Sequence, residues 1–215
     1  KQGLFAKWLQ EQIDVIFPVF HGSYGEDGCI QGLFELMNIP YVGPGVLGAA
    51  VGMDKIMMKA VLRDAGLPVV PYVWFTGYRW MEQQSEVIKE IEETLGYPVI
   101  VKPANLGSSI GVGKADDRQQ LIAAIDLATG FSGRIVIEKM VQNLREINCS
   151  VLGDVEAAEA SVCEEPVVAK DILTYADKYM KDSATKTGDS KGMASLSRQI
   201  PAHIRPELTA TIQDY

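Results

Sequence analysis

Apolar residues recur along this chain at two spacings, and the spacing marks the elements. A three-to-four-residue repeat predicts a helix over residues 2–12, where Leu4, Phe5, Trp8 and Leu9 share one face. The same repeat places Ile30, Leu33, Phe34 and Met37 on the core face of a second helix, with Asp27 as its cap and Asn38 as its end. Met53-Asp54-Lys55 opens another helix, with Asp54 as cap, Met57, Ala60 and Val61 turned inward, and Gly66 as its stop. Residues 85–95 repeat it with Val87, Ile88, Ile91 and Leu95, as does a helix capped by Asp116 with Leu121, Ala124, Ile125 and Ala128 inward. Arg205 starts a last one.

Continuous or alternating apolar runs predict the strands. Residues 15–20 read as a buried parallel strand, and residues 39–42 as a short one before the Gly43-Pro44-Gly45 turn. Residues 67–75, 97–101 and 134–141 follow, the last turning charged at Glu138 and Lys139. Residues 146–152 alternate into a Gly153-Asp154 hairpin turn, and residues 198–201 return to a strand. Residues 163–197 are polar and read as one long loop, of the kind that is functional or disordered.

One stretch asks for a ligand. Lys102-Pro103-Ala104-Asn105-Leu106-Gly107-Ser108-Ser109-Ile110-Gly111-Val112-Gly113 begins where the apolar run 97–101 ends. A lysine at the mouth of a buried strand is costly unless it meets an anion. The glycines leave backbone N–H groups open to close approach, and the serines add hydroxyl donors. Donors beside a fixed cation form a phosphate cradle. A flexible hairpin with a surface lysine is the competing reading. The order is neither that of a Walker loop, in which lysine follows the glycines, nor that of a dinucleotide-binding Gly-x-Gly-x-x-Gly turn.

Two further positions carry chemistry. His21 lies in a glycine-rich loop, residues 21–28, at the end of the run 15–20; it is either a site residue or a loop histidine bonded to a carbonyl. Lys55 stands in the first turn of a helix, where the helix dipole disfavours a cation; it is either solvated or reaching for an anion.

Composition narrows the partners. The chain has 215 residues and a formal net charge of −8, against a nucleic-acid or anionic-membrane partner, so any phosphate site is local. Cys29, Cys149 and Cys163 are odd in number and far apart, as expected of reduced thiols in a cytoplasmic protein. No signal peptide or membrane-spanning run is visible. The chain starts at Lys1 and stops inside a helical pattern, which reads as a fragment.

Taken in order, His21-Gly22 with Gly25-Glu26-Asp27-Gly28, Gln31-Gly32 with Glu35-Leu36, Met53-Asp54-Lys55, Lys102-Pro103 with Gly107-Ser108-Ser109-Ile110-Gly111-Val112, Ile137-Glu138-Lys139 and the segment from Tyr175 to Tyr179 resemble the D-alanine–D-alanine ligases of the ATP-grasp superfamily. The resemblance implies an incomplete three-part α/β architecture. Residues 1–45 would be the parallel-sheet remainder of an amino-terminal substrate domain, 46–140 a central ATP-grasp domain, and 141–215 an incomplete carboxyl-terminal one with a mobile loop over 163–185. It implies that Lys55 and Lys102 hold ATP phosphates, and that Gly107, Ser109, Ile110 and Gly111 close over the γ-phosphate. Glu138, Lys139 and Val141 would form the adenine edge, and Glu146 would accept from the ribose. Ser108 and Tyr179 would tie the two loops together across the substrate, with Lys178 near a phosphate and His21 beside the D-alanine subsites.

The implied chemistry runs through an acyl phosphate formed from D-alanine and ATP, which the amine of a second D-alanine then attacks. The family's first glycine-rich strand and its metal-binding Arg, Asp and Glu-x-Asn positions have no counterpart in these residues. The resemblance therefore puts the Mg²⁺ ligands beyond Tyr215, none of them within this chain, and leaves the chain alone inactive. It further implies a homodimer in the cytoplasm serving cell-wall precursor synthesis. A ligase accepting D-serine or D-lactate, and a non-catalytic ATP-grasp relative, are the alternatives; Tyr179 argues against lactate.

Overall fold

The computed structural model describes residues 4–166 and 198–215. Lys178 and Tyr179, and with them most of the expected loop 163–185, lie outside the described residues. The chain divides into two compact units, 1–140 and 141–215.

The first unit opens with α1 (Leu4–Gln12), α2 (Cys29–Leu36), α3 (Val46–Met53) and α4 (Lys55–Asp64). The strand expected over residues 15–20 does not form as such. Ile16 makes one parallel bridge to Tyr41, with Ile16 N–H donating to the Pro40 carbonyl and Val42 N–H to the Ile16 carbonyl, both at 2.9 Å. Pro18 has no N–H to give, and Phe17 is 73% exposed. A parallel strand needs a ladder of partners, and among the described residues only 40–42 lie beside this one. The expected parallel sheet is therefore corrected: every paired strand in the described residues is antiparallel.

The rest of the unit is built on one sheet. It comprises β1 (Tyr72–Thr76), α5 (Gly77–Glu82), α6 (Gln84–Thr94), β2 (Val99–Pro103), β3 (Gly113–Ala115), α7 (Arg118–Thr129) and β4 (Arg134–Lys139). The strand order is β1-β4-β2-β3. β4 pairs with both β1 and β2, so Val73, Ile137 and Val101 stand side by side, as do Tyr72, Glu138 and Ile100. Alternation of side chains then separates two faces. One carries Val73, Phe75, Val99, Val101, Ile135 and Ile137, packed with Val87, Ile91, Leu121 and Ile125 of α6 and α7. Each such fully buried side chain contributes roughly 1.5–3 kcal/mol. The other face carries Tyr72, Lys102, Val136 and Glu138, and α4 covers it through Ile56.

Three local expectations shift. The cap of α7 is Asp117, whose carboxylate accepts from Gln120 N–H, not Asp116. In α2, Phe34 and Met37 are buried but Leu33 is exposed. In α4 the inward residues are Ile56 and Lys59, while Met57 and Val61 are exposed. The helix is turned because the polar sheet face offers Lys59 a carboxylate and an aromatic ring.

The second unit contains the hairpin β5 (Val151–Gly153) and β6 (Ala158–Ala160), the pair β7 (Glu165–Pro166) and β8 (Arg198–Gln199), and α8 (Pro206–Asp214). Asp154 closes the hairpin by accepting from the N–H groups of Glu156 and Ala157.

Candidate functional site

The charged groups of the first unit gather where α4 meets the polar face of the sheet. Asp54 caps α4 by accepting from Ile56 and Met57 N–H, each at 3.1 Å. Its other carboxylate oxygen is paired with the Arg134 guanidinium, at the start of β4. The first turn of the helix is thus pinned to the sheet, and Lys55 with it. Lys55 N–H donates to the Ala104 carbonyl at 2.8 Å, and its ammonium donates to the Leu106 carbonyl in the cradle loop.

Glu138, near the end of β4, is the carboxylate at the centre of the cluster and is 8% exposed. Lys102 reaches one of its oxygens at 2.6 Å. Lys59, one turn along α4 from Lys55 and 7% exposed, reaches the other at 3.1 Å. The Tyr72 ring, opposite Glu138 in the β1–β4 register, lies 5.3 Å from the Lys59 ammonium.

The electrostatics follow from this crowding. Burial alone raises the Glu138 carboxyl, but Lys102, by charge and hydrogen bond, and then Lys59 outweigh it and hold it below the usual range. Lys55 is pushed below an ordinary lysine, first by burial and next by the charge of Lys102; Glu138 and Asp54 offset only part of this. Lys59 and Lys102 therefore share one carboxylate, which offsets the crowding of Lys55 only in part, while Asp54 is already matched by Arg134. An anion entering beside Lys55 and Lys102 would relieve like-charge repulsion, so the cluster is suited to a phosphate.

The cradle loop, residues 104–112, connects β2 to β3. Ser108 and Ser109 both adopt positive φ, 53° and 61°. Ile110 N–H donates to the Gly107 carbonyl at 3.2 Å and Val112 N–H to the Ser109 carbonyl at 3.3 Å, so those two donors are used inside the loop. At Gly111, φ is +68° and a Cβ would come within 2.8 Å of both Phe131 and Pro103; only glycine fits. Gly107 lies against the Met53 side chain.

Met53 also lines a cavity of about 370 Å³ with Phe20, Glu26, Gln31 and the 42–44 turn. Its loop is held by Glu26, which accepts from Gly22 N–H, and by Asp27, which accepts from Tyr24 and Cys29 N–H at 2.8 and 3.1 Å. The Tyr24 bond, ahead of the rest, holds the Asp27 carboxyl below its usual range. Gly28, at φ +94°, lets the Val46 carbonyl approach within 2.7 Å of where a Cβ would stand. The Gln31 amide donates to the Gly25 carbonyl at 3.1 Å, and its oxygen is buried with no partner among the described residues. His21 is exposed on the same loop.

Of the other residues named from the sequence, Lys139 sends its ammonium to the Tyr97 carbonyl at 2.9 Å, away from Lys102. Its N–H is engaged by the Pro71 carbonyl. Val141 and Glu146 are exposed and belong to the second unit. Sequence reading passed over Lys59, Tyr72 and the Asp54–Arg134 pair. The available signal was the four-residue spacing of Lys55 and Lys59 on one helix, with an acid ending a buried strand. Among the described residues no group of three or more His, Cys, Asp or Glu could hold a metal.

Comparison with known proteins bears on the family and the fold. Residues 2–44 match the family model for the D-ala D-ala ligase N-terminus, and residues 61–215 match that for the D-ala D-ala ligase C-terminus. The D-alanine–D-alanine ligase of Bacillus cytotoxicus is 45% identical over 208 residues, covering 97% of this chain and 54% of the relative. That of Heliobacterium modesticaldum is 46% identical over 202 residues, covering 94% and 51%. Among solved structures, the VanG D-Ala:D-Ser ligase of Enterococcus faecalis matches with TM-score 0.75 and 32% identity, covering 94% of this chain and 54% of that one. The D-alanyl-alanine synthetase A of Vibrio cholerae matches with TM-score 0.76 and 28% identity, covering 94% and 57%. The chain spans about half the length of the curated relatives it matches. The fold is a mixed α/β one of the ATP-grasp ligase type, with antiparallel sheets. A match of two family models, one over residues 2–44 and the other over residues 61–215, shows that this chain belongs to the D-alanine–D-alanine ligase family.

Proposed function

We propose that the protein carrying this chain joins two D-alanine molecules at the expense of ATP, for peptidoglycan precursor synthesis. The observation that carries the reading is the convergence of Lys55 and Lys102 on a cluster with one shared carboxylate. Lys55, coming from the first turn of a helix, and Lys102, from the end of a strand, hold the nucleotide phosphates. Gly107, Ser109, Ile110 and Gly111 cover the γ-phosphate, where a cation and fixed donors offset the charge that builds up during transfer. Glu138, Lys139 and Val141 receive the adenine and Glu146 the ribose. His21, Ser108, Lys178 and Tyr179 serve the D-alanine side and its closure, which keeps water from the acyl phosphate. The cavity behind Glu26, Gln31 and Met53 offers room for a small polar substrate beside the cradle.

The three-part division at residues 45 and 140, a homodimer and a cytoplasmic location belong to the same reading. Among the described residues no helix is long and apolar enough to cross a membrane. Mg²⁺ accompanying ATP belongs to the same reading; among the described residues no group of three or more His, Cys, Asp or Glu could hold it. The match to a D-Ala:D-Ser ligase structure favours D-serine as the second reading for the acceptor.

The test is made on the protein as encoded, at full length. ATP at a hundred times its dissociation constant should stabilise the fold by about 2.7 kcal/mol, read as a rise in melting temperature. Lys102→Ala should abolish that rise. A wild-type melting temperature indifferent to millimolar ATP would overturn the reading. Competition of D-alanine against D-serine and D-lactate for ATP-dependent product formation then identifies the acceptor.

A further inference from the structure

Lys59 is not among the groups that the proposed reaction uses, yet it is the most deeply buried of the three clustered lysines. A buried lysine is costly unless its charge is matched. Here the match is specific: one Glu138 oxygen at 3.1 Å on one side, the Tyr72 ring at 5.3 Å on another. Arg63, a further turn along α4, adds a second cation 5.9 Å from the same ring. The other Glu138 oxygen is occupied by Lys102. The carboxylate is therefore divided between a cation that cannot leave and one that is 27% exposed and can turn outward.

We propose that Lys59 is a positioning residue for nucleotide binding: by holding one oxygen of Glu138 it weakens the grip of that carboxylate on Lys102 and frees Lys102 to meet a phosphate. Without Lys59, Glu138 would have Lys102 as its single close cation and would compete with the incoming phosphate for it. With Lys59 in place, Glu138 stays charge-matched when Lys102 turns away. Lys59 acts through Glu138 and does not touch the nucleotide. The inference rests on the reading of Lys102 as a phosphate ligand.

The experiment compares Lys59→Met, Lys59→Arg, Glu138→Gln and the Lys59→Met/Glu138→Gln double variant in the full-length protein, measuring ATP KM, kcat with saturating D-alanine, and melting temperature. Lys59→Met should raise ATP KM about tenfold, the size of a coupling between contacting charges, and leave kcat within about twofold. Lys59→Arg, which keeps the charge, should restore KM. In the Glu138→Gln background the Lys59→Met change should have no further effect on KM, because the competing carboxylate is gone. An unchanged KM in Lys59→Met, or an equal rise in both backgrounds, overturns the proposal. Where Lys59→Met does not fold, Lys59→Gln is read the same way. A wild-type protein with no ATP dependence would instead overturn the parent reading, so the two failures are told apart.

Discussion

The two faces of the four-stranded sheet share every backbone hydrogen bond and differ in almost everything else. One face, with Val73, Phe75, Val101, Ile135 and Ile137, is sealed by α6 and α7 and holds no charged side chain in its core. The other, one residue out of phase along the same strands, carries Tyr72, Lys102 and Glu138 under α4. Ile137 and Glu138 are neighbours in sequence yet face opposite environments. The sealed face gains from burying apolar area, which is insensitive to the exact partner. The charged face holds the Lys59 and Lys102 ammonium groups on one buried carboxylate, with Lys55 disfavoured by burial and by the charge of Lys102, an arrangement that costs stability when empty. Stability is thus concentrated on one side of the sheet and ligand chemistry on the other, and substitutions should separate the two.

The largest effect is expected on the sealed face. Ile137 is fully buried in the middle of β4. Ile137→Ala should cost about 2–5 kcal/mol, lowering the melting temperature by roughly 10 °C. The ATP dissociation constant of the remaining folded protein should stay within about twofold, measured by titration well below the new melting point. A large loss of affinity would break the separation, since it would mean that the two faces move together.

An intermediate effect sharpens the boundary. Asp54 belongs to both accounts, as helix cap and as the residue preceding Lys55. Asp54→Ala should cost about 1 kcal/mol through the lost cap. It should also weaken ATP binding, because the pairing with Arg134 that ties the first turn of α4 to β4 is gone. Denaturant midpoint and ATP affinity should fall together. A change in stability alone would show that Lys55 is placed by its own bond to the Ala104 carbonyl and not by the cap.

How much of this contrast was legible beforehand differs by face. The sealed face announced itself: runs such as Val99-Ile100-Val101 and Ile135-Val136-Ile137, and helices with Val87, Ile91, Leu121 and Ile125 at helical spacing, are local signals. The lysine at the mouth of β2 and the lysine in a first turn could also be picked out, because each is anomalous in its own element. Lys59 offered only its four-residue spacing from Lys55, since a lysine in mid-helix is otherwise ordinary until the fold brings Glu138 and Tyr72 to it. Periodicity likewise put Met57 and Val61 inward, and tertiary charge pairing turned the helix the other way. The run 15–20 shows the reverse limit. Its composition reads as a strand, but a strand is a property of pairs, and its described neighbours provide one bridge.

The smallest effect tests the claim that the charged face is held at a cost. Folding disfavours the protonated form of Lys55, chiefly through burial and then through Lys102. Its folded pKa lies below the ordinary 10.5, so between the two values the unfolded chain binds more protons than the folded one. Stability of the empty protein should therefore rise as pH rises through that window, and Lys55→Met should flatten this part of the profile. At neutral pH the same substitution should raise the melting temperature of the empty protein by about one or two degrees, although it deletes a hydrogen bond to the Leu106 carbonyl that water can replace. With ATP present the order should reverse, because wild type gains the ligand's stabilisation and the variant does not. Melting curves at several pH values, with and without ATP, read both signs at once. A variant less stable than wild type in the empty state would show that Lys55 supports the fold as well as the ligand, and the division of labour between the two faces would fail at the residue where it should be clearest.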